Sequence, residues 1–518
     1  MEVKWIIIII SPWTFCAGMN EFYSSTDHMT QLTGIKKDLS LCLGDYITAL
    51  ENQTYLLKKV LQGLDSISND SSEDPEKFIS NPLTAYKLVS QLRNAGRVIE
   101  EVTKKNISED LNAVKSKAQV LPSDSDLDGI ALAMIRLQEL YHIDLNTTNG
   151  FKNTLTLEPD ETFHIAVVAH QNQQFRSATR WMHETLRKLD EHMSAVVTKQ
   201  KVLHLLGSVP FQAGNMPIAL GLSQSLLPHD VTDLKTLLQL AHSDSLIEIM
   251  KGQGGMEHSV SPLDISAISH PWYSEYETLC RGEGIKMTPL RKKKLSCRYT
   301  TGGGNPQLIY APAKEEEEWD QPLILRYHEL LSEHEIEVIK ELSRPKLDRA
   351  KVSDPVTGKK ISTMVRVSKS AWLSEDESPV VARANRKIAD ITGLDMETAE
   401  ELQVANYGIG GQYEPHYDSQ VTNDSYYQIR GGRIATVLVY MSDVEVGGAT
   451  VFPNIGAALQ PKRGSAVVWF NLLKNGSEDA RTLHAACPVF VGSKWVANKW
   501  IHVRGQEFRR RCSLSRFD

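Results

Sequence analysis

The first 145 residues carry apolar positions at helical spacing. Between residues 29 and 64 they recur every seven residues in two neighbouring rows: Leu32, Leu39, Tyr46 and Val60, then Ile35, Cys42, Ala49 and Leu56. Such rows are typical of an a/d seam between paired helices. Gln53 interrupts the first row, so a helix in an ordinary bundle is the alternative. With further helical patterns at 85–101 and 130–141, the sequence predicts a helical, coiled-coil dimerisation domain over residues 21–145.

A second helical region follows, with a faint internal repeat. Between residues 158 and 243 the pattern predicts two helix pairs, in which four apolar positions recur about forty residues later, near the tetratricopeptide period. The two sets are Ile165, Phe175, Ala178, Leu186 and Leu206, Met216, Ala219, Leu227. Stacked helix pairs leave a concave groove that usually receives an extended peptide, and plain hairpins without a ligand are the alternative. We expect a TPR-like peptide-binding domain at 155–248 and a linker with a disulfide loop at 249–318.

From about residue 319 the pattern changes to short β-branched and aromatic runs separated by glycines. These runs are 434–441, 449–452, 466–470, 485–491 and 495–503. Short strands with glycine turns at this spacing predict an antiparallel barrel or jelly roll. Helices at 333–342 and 378–392 would brace it. The chain is therefore expected to be a multidomain α+β protein whose C-terminal domain spans 319–518, with its core at about 400–508.

The extreme N-terminus predicts secretion. Lys4 precedes an apolar run from Trp5 to Phe15 and small residues at 16–18, which is typical of a cleaved signal peptide over 1–20. The run is too short to cross a bilayer, and no later segment reaches the roughly 18 apolar residues that a membrane helix needs. We expect a glycoprotein, because N-x-[ST] sequons begin at Asn52, Asn69, Asn106, Asn146, Asn423 and Asn475.

Composition narrows the class of partner. With 518 residues, 41% hydrophobic and 23% charged, the chain is an ordinary folded protein of three or four domains. Its net charge of -7 lacks the basic excess that nucleic-acid binding requires. We therefore expect no nucleic-acid partner.

In an oxidising compartment the six cysteines suggest disulfides. Cys16 would leave with the signal peptide. Cys280 with Cys297 would close a short loop, worth about 3 kcal/mol in the chain-entropy model. Cys487 with Cys512 would tie the C-terminal tail to a strand. Cys42 is then left over, either buried as an apolar residue, which we favour, or in an intermolecular bridge.

One constellation carries candidate chemistry. His416 and Asp418 stand two apart, so on a strand they would project from the same face. His484 precedes a later strand that could lie opposite. Two histidines and one carboxylate with open positions suit a non-haem Fe(II) that activates oxygen. The triad alone is a weak signal, because H-x-D occurs by chance and a hydrolytic zinc site would accept the same ligands.

Lys494 strengthens the iron hypothesis. It lies ten positions after His484, where a buried cation could bind the far carboxylate of a 2-oxo acid. The alternative is a solvated surface lysine like Lys499. Tyr407 and Trp500 are weaker candidates for lining the same site, since aromatic residues on barrel strands more often belong to the core.

Several longer motifs resemble the α-subunits of collagen prolyl 4-hydroxylases. The sequence ELQVANYGIGGQYEPHYD ends at Asp418, and further matches are RIAT, GGATVFP, HAACP, RGQEFRR and CRGEGIKMTP, at residues 433–436, 447–453, 484–488, 504–510 and 280–289. The likeness extends over essentially the whole chain and is strong from about residue 270. The resemblance implies a double-stranded β-helix dioxygenase domain.

The same resemblance implies roles for individual residues. His416, Asp418 and His484 would bind Fe(II), and Lys494 would bind the C5 carboxylate of 2-oxoglutarate. The family's disulfides would be the two cysteine pairs given above. The implied reaction uses O2 to convert peptidyl proline in X-Pro-Gly sites to 4-hydroxyproline, coupled to decarboxylation of 2-oxoglutarate to succinate and CO2. L-ascorbate would rescue the iron after uncoupled turnovers.

Family membership would also imply a partner. The α-subunits pair with protein disulfide isomerase in an α2β2 tetramer in the lumen of the endoplasmic reticulum. The last residues, 513–518, are not a K-D-E-L type retention signal. Residence in that lumen would therefore depend on the partner.

The peptide-binding segment departs from the family pattern. Where the family has tyrosines that stack on proline-rich substrate, this chain has Leu205, Ser208 and Phe211. Phe211 is the one aromatic candidate left for binding substrate. Fewer stacking platforms should weaken binding of polyproline helices. An active hydroxylase of non-collagen secreted proteins, or a non-catalytic peptide-binding and assembly subunit, is therefore an alternative to a collagen hydroxylase.

Overall fold

The computed structural model describes residues 21–49, 54–65, 75–103, 116–142, 156–191, 194, 196–212, 272–353, 360–419 and 429–513. The signal peptide, most of the second helix pair, the start of the linker and five of the six sequons lie outside these residues. The side chains of Tyr46, Ala49, Leu56, Ser208 and Phe211 are likewise not described.

Helices form the N-terminal part of the described chain, and shorter ones accompany the sheets. They are α1 (Thr26–Ala49), α2 (Thr54–Asp65), α3 (Pro75–Ile79), α4 (Pro82–Thr103), α5 (Asp124–Tyr141), α6 (Pro159–Gln171), α7 (Phe175–Glu191), α8 (Lys199–Gln212), α9 (Tyr273–Cys280), α10 (Pro289–Lys292), α11 (Pro306–Tyr310), α12 (Glu333–Ser343) and α13 (Pro379–Thr392).

The heptad row on α1 is buried within this chain. Leu32 and Leu39 are fully buried, in a core that also contains residues of α2, α4 and α5. Burying an apolar side chain stabilises a fold by about 1.5–3 kcal/mol, so this row already has its partners. The structure supports the bundle alternative for this row. Cys42 is half-buried against the same core and free of any disulfide.

Antiparallel strands form the C-terminal part. They are β1 (Cys297–Thr300), β2 (Ala313–Asp320), β3 (Leu323–His328), β4 (Asp348–Arg349), β5 (Val352–Ser353), β6 (Lys360–Ile361), β7 (Lys369–Leu373), β8 (Leu402–Tyr407), β9 (Tyr413–His416), β10 (Arg433–Tyr440), β11 (Val444–Gly447), β12 (Thr450–Phe452), β13 (Ala457–Leu459), β14 (Ala466–Phe470), β15 (His484–Ala486), β16 (Val489–Gly492) and β17 (Lys494–His502).

Two sheets matter for the site. The larger has nine strands in the order β1-β2-β3-β14-β10-β17-β8-β7-β4, and the smaller has the order β13-β12-β15-β9. Phe452 of the small sheet and Trp469 of the large one pack edge to face, with ring centroids 5.4 Å apart. The α+β class, with helical regions before an antiparallel C-terminal domain, is confirmed.

The cysteine pairing differs from the prediction. Cys280 is bonded to Cys487, with Cα atoms 5.5 Å apart, whereas Cys297 and Cys512 are exposed and free. The predicted pairs Cys280–Cys297 and Cys487–Cys512 are therefore wrong in this structure. The reason is packing: Cys280 and Cys487 belong to one buried cluster with Val451 and Ala485.

The helical region contacts the C-terminal domain directly. Arg136 of α5 donates a 2.5 Å hydrogen bond to the carbonyl of Gly410, and the hydroxyl of Tyr141 donates to the carbonyl of Pro488. Within the described residues, no helix has the length and apolar character needed to cross a bilayer.

Candidate active site

The candidate residues surround a cavity between the two sheets. Its empty volume is about 430 Å³. His416 and His484 come from β9 and β15 of the small sheet, while Lys494 and Trp500 lie on β17 of the large one. The wall is completed by Arg366, Tyr407, Tyr413, Asp418, Thr436, Leu438, Thr450, Trp469, Ala485, Ala486, Val496 and Asn498.

The structure brings the predicted triad together. His416 and His484 are direct register partners on neighbouring strands. Asp418 lies two residues beyond the end of β9 instead of on it, yet its carboxylate is 3.7 Å from Nε2 of His416 and 3.5 Å from Nε2 of His484. One ligand atom from each residue lies within 4.8 Å of the others. Three donors this close can face one ion.

Hydrogen bonds fix the orientation of both imidazoles. Nδ1 of His416 is 2.8 Å from the carbonyl of Glu414, and Nδ1 of His484 is 2.9 Å from the carbonyl of Thr482. A carbonyl oxygen only accepts, so each Nδ1 carries the proton and each Nε2 presents a bare lone pair. Burial, followed by the proximity of His484, lowers the pKa of His416 to about 3. The neutral form is the one that binds a metal.

Asp418 is kept ionised and oriented. Burial alone would raise its pKa, but His484, His416, Arg433 and a hydrogen bond from Trp500 together bring it below the usual range. Its Oδ2 accepts from the hydroxyl of Thr436 at 2.7 Å and from Nε1 of Trp500 at 2.9 Å. Such partners behind a metal ligand fix its direction. The donor set of two imidazoles that present Nε2 and one carboxylate fits Fe(II).

Lys494 is a buried ammonium that no described carboxylate neutralises. It is 1% exposed, donates to the carbonyl of Gly448 at 2.6 Å and lies 5.2 Å from the ring centre of Tyr407. Burial lowers its pKa to about 7. A buried cation without a counter-ion is costly, so an anionic ligand in this cavity would be stabilised by it. The surface-lysine alternative is wrong for Lys494.

The prediction that Lys499 is a solvated surface lysine is wrong as well. Lys499 is 2% exposed, and burial lowers its pKa to about 8. It lies on β17 among residues that alternate between two covered faces, so neither lysine reaches bulk solvent. Strand position, and not residue type, decides burial here.

The two weaker candidates also line the cavity. Tyr407 pairs directly with Lys494 across β8 and β17, and Trp500 donates to Asp418 as described. Phe211 cannot be placed in the site or outside it, because its side chain lies outside the described residues.

Sequence reasoning missed Arg366 and Tyr413 at the entrance. Together with the predicted residues Asp418 and Trp500, they line both the cavity and an outer groove with about 1190 Å³ of empty volume. The ring of Tyr413 stacks on His416 with centroids 3.5 Å apart. The guanidinium of Arg366 lies over the same Tyr413 ring, 4.8 Å from its centroid. The spacing of residues along the sequence does not predict that Arg366 lies over Tyr413 or that Tyr413 stacks on His416.

A buried ion pair supports the same entrance. Arg433 donates to both carboxylate oxygens of Glu400, at 2.5 and 2.9 Å, and its guanidinium lies 4.0 Å from the centre of the Trp500 ring. Nε2 of His502 is 3.1 Å from the same carboxylate. Burial would raise the pKa of Glu400, but His502 and Arg433 together lower it. This cluster fixes the ring that hydrogen-bonds Asp418.

Three family models match the chain. The N-terminal region of the prolyl 4-hydroxylase alpha-subunit matches residues 25–150, the prolyl 4-hydroxylase peptide-substrate-binding domain matches 159–248, and the 2OG-Fe(II) oxygenase superfamily matches 402–502.

Curated relatives are similar over almost the whole length. Prolyl 4-hydroxylase subunit alpha-1 of Rattus norvegicus is 43% identical over 97% of both chains. Subunit alpha-2 of Gallus gallus is 41% identical over 99% of both. Subunit alpha-2 of Caenorhabditis elegans is 35% identical over 95% of this chain and 94% of its own.

A solved structure also matches. The viral collagen prolyl hydroxylase of Paramecium bursaria Chlorella virus 1, in its 2OG complex, is 27% identical, with a TM-score of 0.28 over 35% of this chain and 95% of its own.

Proposed function

The chain belongs to the prolyl 4-hydroxylase alpha-subunit family, and from that premise we propose that it hydroxylates proline at C4 in X-Pro-Gly sites of collagen-like substrates. Membership makes it an Fe(II)- and 2-oxoglutarate-dependent dioxygenase that hydroxylates peptidyl proline and uses O2. One observation carries the proposal. Two bare imidazole nitrogens, an oriented carboxylate and an unneutralised buried ammonium surround a single cavity.

Each residue has a definite task in this proposal. His416, Asp418 and His484 would bind the iron through Nε2, a carboxylate oxygen and Nε2 respectively. When bound, iron and 2-oxoglutarate supply the oxidising chemistry, in which the 2-oxo acid is decarboxylated to succinate and CO2 and one oxygen atom reaches proline. Lys494 would bind the C5 carboxylate, since its ammonium lies in the same cavity, beside Tyr407.

The remaining wall residues orient ligands and exclude water. Thr436 and Trp500 orient the Asp418 carboxylate. Leu438, Val496 and Trp469 give the cavity apolar walls, which strengthens charge interactions inside it. The outer groove would admit the substrate peptide, since it opens onto Tyr413 and Trp500 next to the metal ligands.

The setting of the enzyme is part of the proposal. We infer a signal peptide at 1–20, glycosylation, residence in the lumen of the endoplasmic reticulum, use of L-ascorbate and assembly with protein disulfide isomerase as α2β2. The domains would be those of the sequence prediction, with dimerisation at 21–145, peptide binding at 155–248 and catalysis at 319–518. Leu205 and Ser208 in place of tyrosines, which leave Phe211 as the one aromatic candidate, favour a second candidate substrate, a non-collagen secreted protein.

The test is to co-express the chain with protein disulfide isomerase and assay it with Fe(II), 2-oxoglutarate and ascorbate. Mass spectrometry of a Pro-Pro-Gly repeat peptide should show added oxygen on the proline that precedes glycine. His416→Ala should abolish 2-oxoglutarate turnover in a folded protein.

The outcomes separate the alternatives. If the protein turns over 2-oxoglutarate but adds no oxygen to this peptide, the substrate is another proline-containing protein and not a collagen-like repeat. A folded, iron-loaded protein that turns over no 2-oxoglutarate would overturn the enzymatic proposal and favour a peptide-binding or assembly subunit.

A further inference from the structure

The N-terminal turn, Glu21–His28, is buried against the C-terminal domain. Ser24 and Ser25 are fully buried, and Thr26 is 1% exposed. Three small polar residues in succession would ordinarily lie on a surface. Buried polar groups usually find partners. The hydroxyls of Ser25 and Thr26 find theirs about 380 to 470 residues further along the chain, whereas the Ser24 hydroxyl has none among the described residues.

Asn406 of β8 acts as a cap for helix α1. Its Oδ1 accepts from the hydroxyl of Ser25 at 2.6 Å, from the hydroxyl of Thr26 at 3.2 Å and from the backbone N–H of Asp27 at 3.0 Å. A helix start normally satisfies its free N–H groups with a side chain from its own first residues. Helix α1 has such a local cap, since the Ser25 hydroxyl accepts from the N–H of His28 at 3.3 Å, and Asn406 adds a second cap from the strand that also carries Tyr407.

Thr26 contacts β8 at Tyr407 and the residue that precedes Lys494, the proposed 2-oxo acid anchor and first residue of β17. Its hydroxyl lies 3.2 Å from the carbonyl of Tyr407 and 2.7 Å from the hydroxyl of Ser493. Tyr407 and Lys494 are register partners, and Ser493 immediately precedes Lys494. One hydroxyl therefore contacts the backbone beside the tyrosine and the residue before the lysine.

The backbone of the N-terminal turn approaches more closely than a side chain would allow. The N–H of Gly408 donates to the carbonyl of Ser24. A Cβ on Gly408 would lie 2.1 Å from the carbonyl oxygen of Tyr23. Glycine is thus required at the residue after Tyr407 for the N-terminal turn to dock.

Charged groups fasten both ends of the N-terminal turn. Arg349 forms an ion pair with Glu21 at 2.7 Å, and Arg344 donates to Asp27 at 2.8 Å. Nζ of Lys369 donates to Nδ1 of His28. In the sequence, Arg344 follows α12, Arg349 ends β4 and Lys369 begins β7. The C-terminal domain therefore contacts the N-terminal turn from its first residue to its last.

We propose that the N-terminal turn is a positioning element for 2-oxoglutarate, acting through Asn406, Tyr407 and Ser493 on the placement of Lys494. This inference rests on the proposed role of Lys494. It assigns a role in the oxygenase site to residues that lie almost 380 positions before residue 402, where the match to the 2OG-Fe(II) oxygenase superfamily begins. None of these N-terminal residues touches the cavity itself, so they are positioning and not catalytic residues.

The test compares two threonines on one helix. Thr26→Val keeps the shape of the side chain and removes its bonds to Asn406, Tyr407 and Ser493. Thr30→Val is the matched control, because among the described residues the Thr30 hydroxyl bonds only to the carbonyl of Asp27 in its own helix. Thr26→Ser should restore the wild-type behaviour. All variants are made in the full chain co-expressed with its isomerase partner.

Two readouts are needed. Hydrogen exchange at the Gly408 amide should quicken in Thr26→Val and not in Thr30→Val. The Kd of 2-oxoglutarate, measured by calorimetry with Fe(II) and without oxygen, should rise roughly 3- to 10-fold in Thr26→Val, the size expected if the equivalent of about one hydrogen bond of the several lost is transmitted to Lys494, while the KM for peptide stays unchanged.

Lys494→Ala, measured in parallel, separates the positioning role of the N-terminal turn from the proposed role of Lys494 itself. If Lys494→Ala weakens 2-oxoglutarate binding and Thr26→Val does not, the N-terminal turn has no positioning role. If Lys494→Ala leaves the Kd unchanged, the proposed anchor itself is wrong. Should Thr26→Val not fold, Ser493→Ala, which removes the bond between Ser493 and the Thr26 hydroxyl, takes its place with the same readouts and the same criteria.

Discussion

At the scale of residues, two backbone carbonyls decide which imidazole nitrogens are available to a metal. Glu414 and Thr482 accept from Nδ1 of the next-but-one histidine, so each Nε2 is left bare. The sequence shows histidines at plausible spacing but not which nitrogen will be free. That choice depends on the local backbone path at the strand ends, which only the folded chain defines.

The first prediction concerns the hydrogen bond from Trp500 to Asp418. Trp500→Phe retains most of the ring but leaves Oδ2 of Asp418 with one donor fewer. Residues of this kind typically contribute 10- to 100-fold to metal affinity, so we expect Fe(II) binding to weaken by about tenfold. Anaerobic metal titration measures it.

Trp469→Phe is the control for that variant. Trp469 packs against His484, with ring centroids 4.8 Å apart, but its indole N–H is buried without a hydrogen-bond acceptor among the described residues. Its replacement should change Fe(II) affinity less than Trp500→Phe. An equal loss in both variants would assign the effect to ring packing instead of the hydrogen bond.

The second prediction is a pH dependence set by Lys494. Its pKa in the ligand-free protein is about 7 because of burial, and a bound carboxylate would raise it. Below pH 7 the ammonium is already formed, so affinity for 2-oxoglutarate should be flat. Above pH 7 binding must take up a proton, and affinity should fall by up to about tenfold per pH unit. Calorimetry in buffers of different ionisation enthalpy counts the protons.

Lys494→Met provides the comparison. Without a titrating group, its weakened binding should not depend on pH between 7 and 9. A wild-type affinity that is equally flat over that range would contradict the role given to the Lys494 ammonium.

At the scale of elements, strands with regular apolar patterns are predicted well from the sequence. β10, β14 and β17 lie within one residue of their predicted bounds. β8 was not predicted as a separate strand, because its two buried faces carry the polar residues Gln403 and Asn406. These polar residues are stable inside because Arg366 donates to Gln403 and the N-terminal turn donates to Asn406. Partners so distant in sequence leave no local pattern.

The run predicted at 485–491 is really two strands. β15 ends at Ala486 and β16 begins at Val489, and the two pair with different sheets. Cys487 and Pro488 lie between them. Proline has no N–H to donate to a ladder, which explains the break, and the Cys487 sulfur is used in the disulfide.

The third prediction tests the packing of α1. Leu39 is fully buried and Leu41 is 62% exposed. Leu39→Ala should lower the free energy of unfolding by about 2–5 kcal/mol, and Leu41→Ala by less than about 0.5 kcal/mol. Denaturant unfolding at several protein concentrations measures both. If Leu39→Ala lowered the free energy of unfolding only at protein concentrations where subunits associate, the result would support the alternative that this row is a seam between subunits.

At the scale of the whole molecule, the sequence indicated three regions in the right order, but not how they contact one another. Arg136 and Tyr141 bind carbonyls on the C-terminal domain, and neither residue is distinguishable from other helix residues by spacing. Contacts between regions follow from surface fit, which periodicity does not encode. The cysteine pairing failed for the same reason, since proximity in sequence was used in place of proximity in space.

The fourth prediction is the disulfide map. Peptide mapping without reduction should find Cys280 linked to Cys487, with Cys297 and Cys512 open to alkylation. Closing a loop of 207 residues is worth about 5 kcal/mol in the chain-entropy model, so Cys487→Ser should lower the melting temperature clearly. Peptides linking Cys280 to Cys297 and Cys487 to Cys512 would contradict the structure.

The docking of the N-terminal turn also constrains the order of biosynthesis. Ser25 is synthesised 381 residues before its partner Asn406. At 5–20 residues per second, roughly 20 to 75 s separate the two on the ribosome. During that interval the hydroxyls of Ser25 and Thr26 lack Asn406 as an acceptor, and helix α1 has only the cap that Ser25 gives to the N–H of His28. The oxygenase site can therefore be completed only after β17 has been made, when residues 24–26 dock on residues synthesised about 380 to 470 positions later.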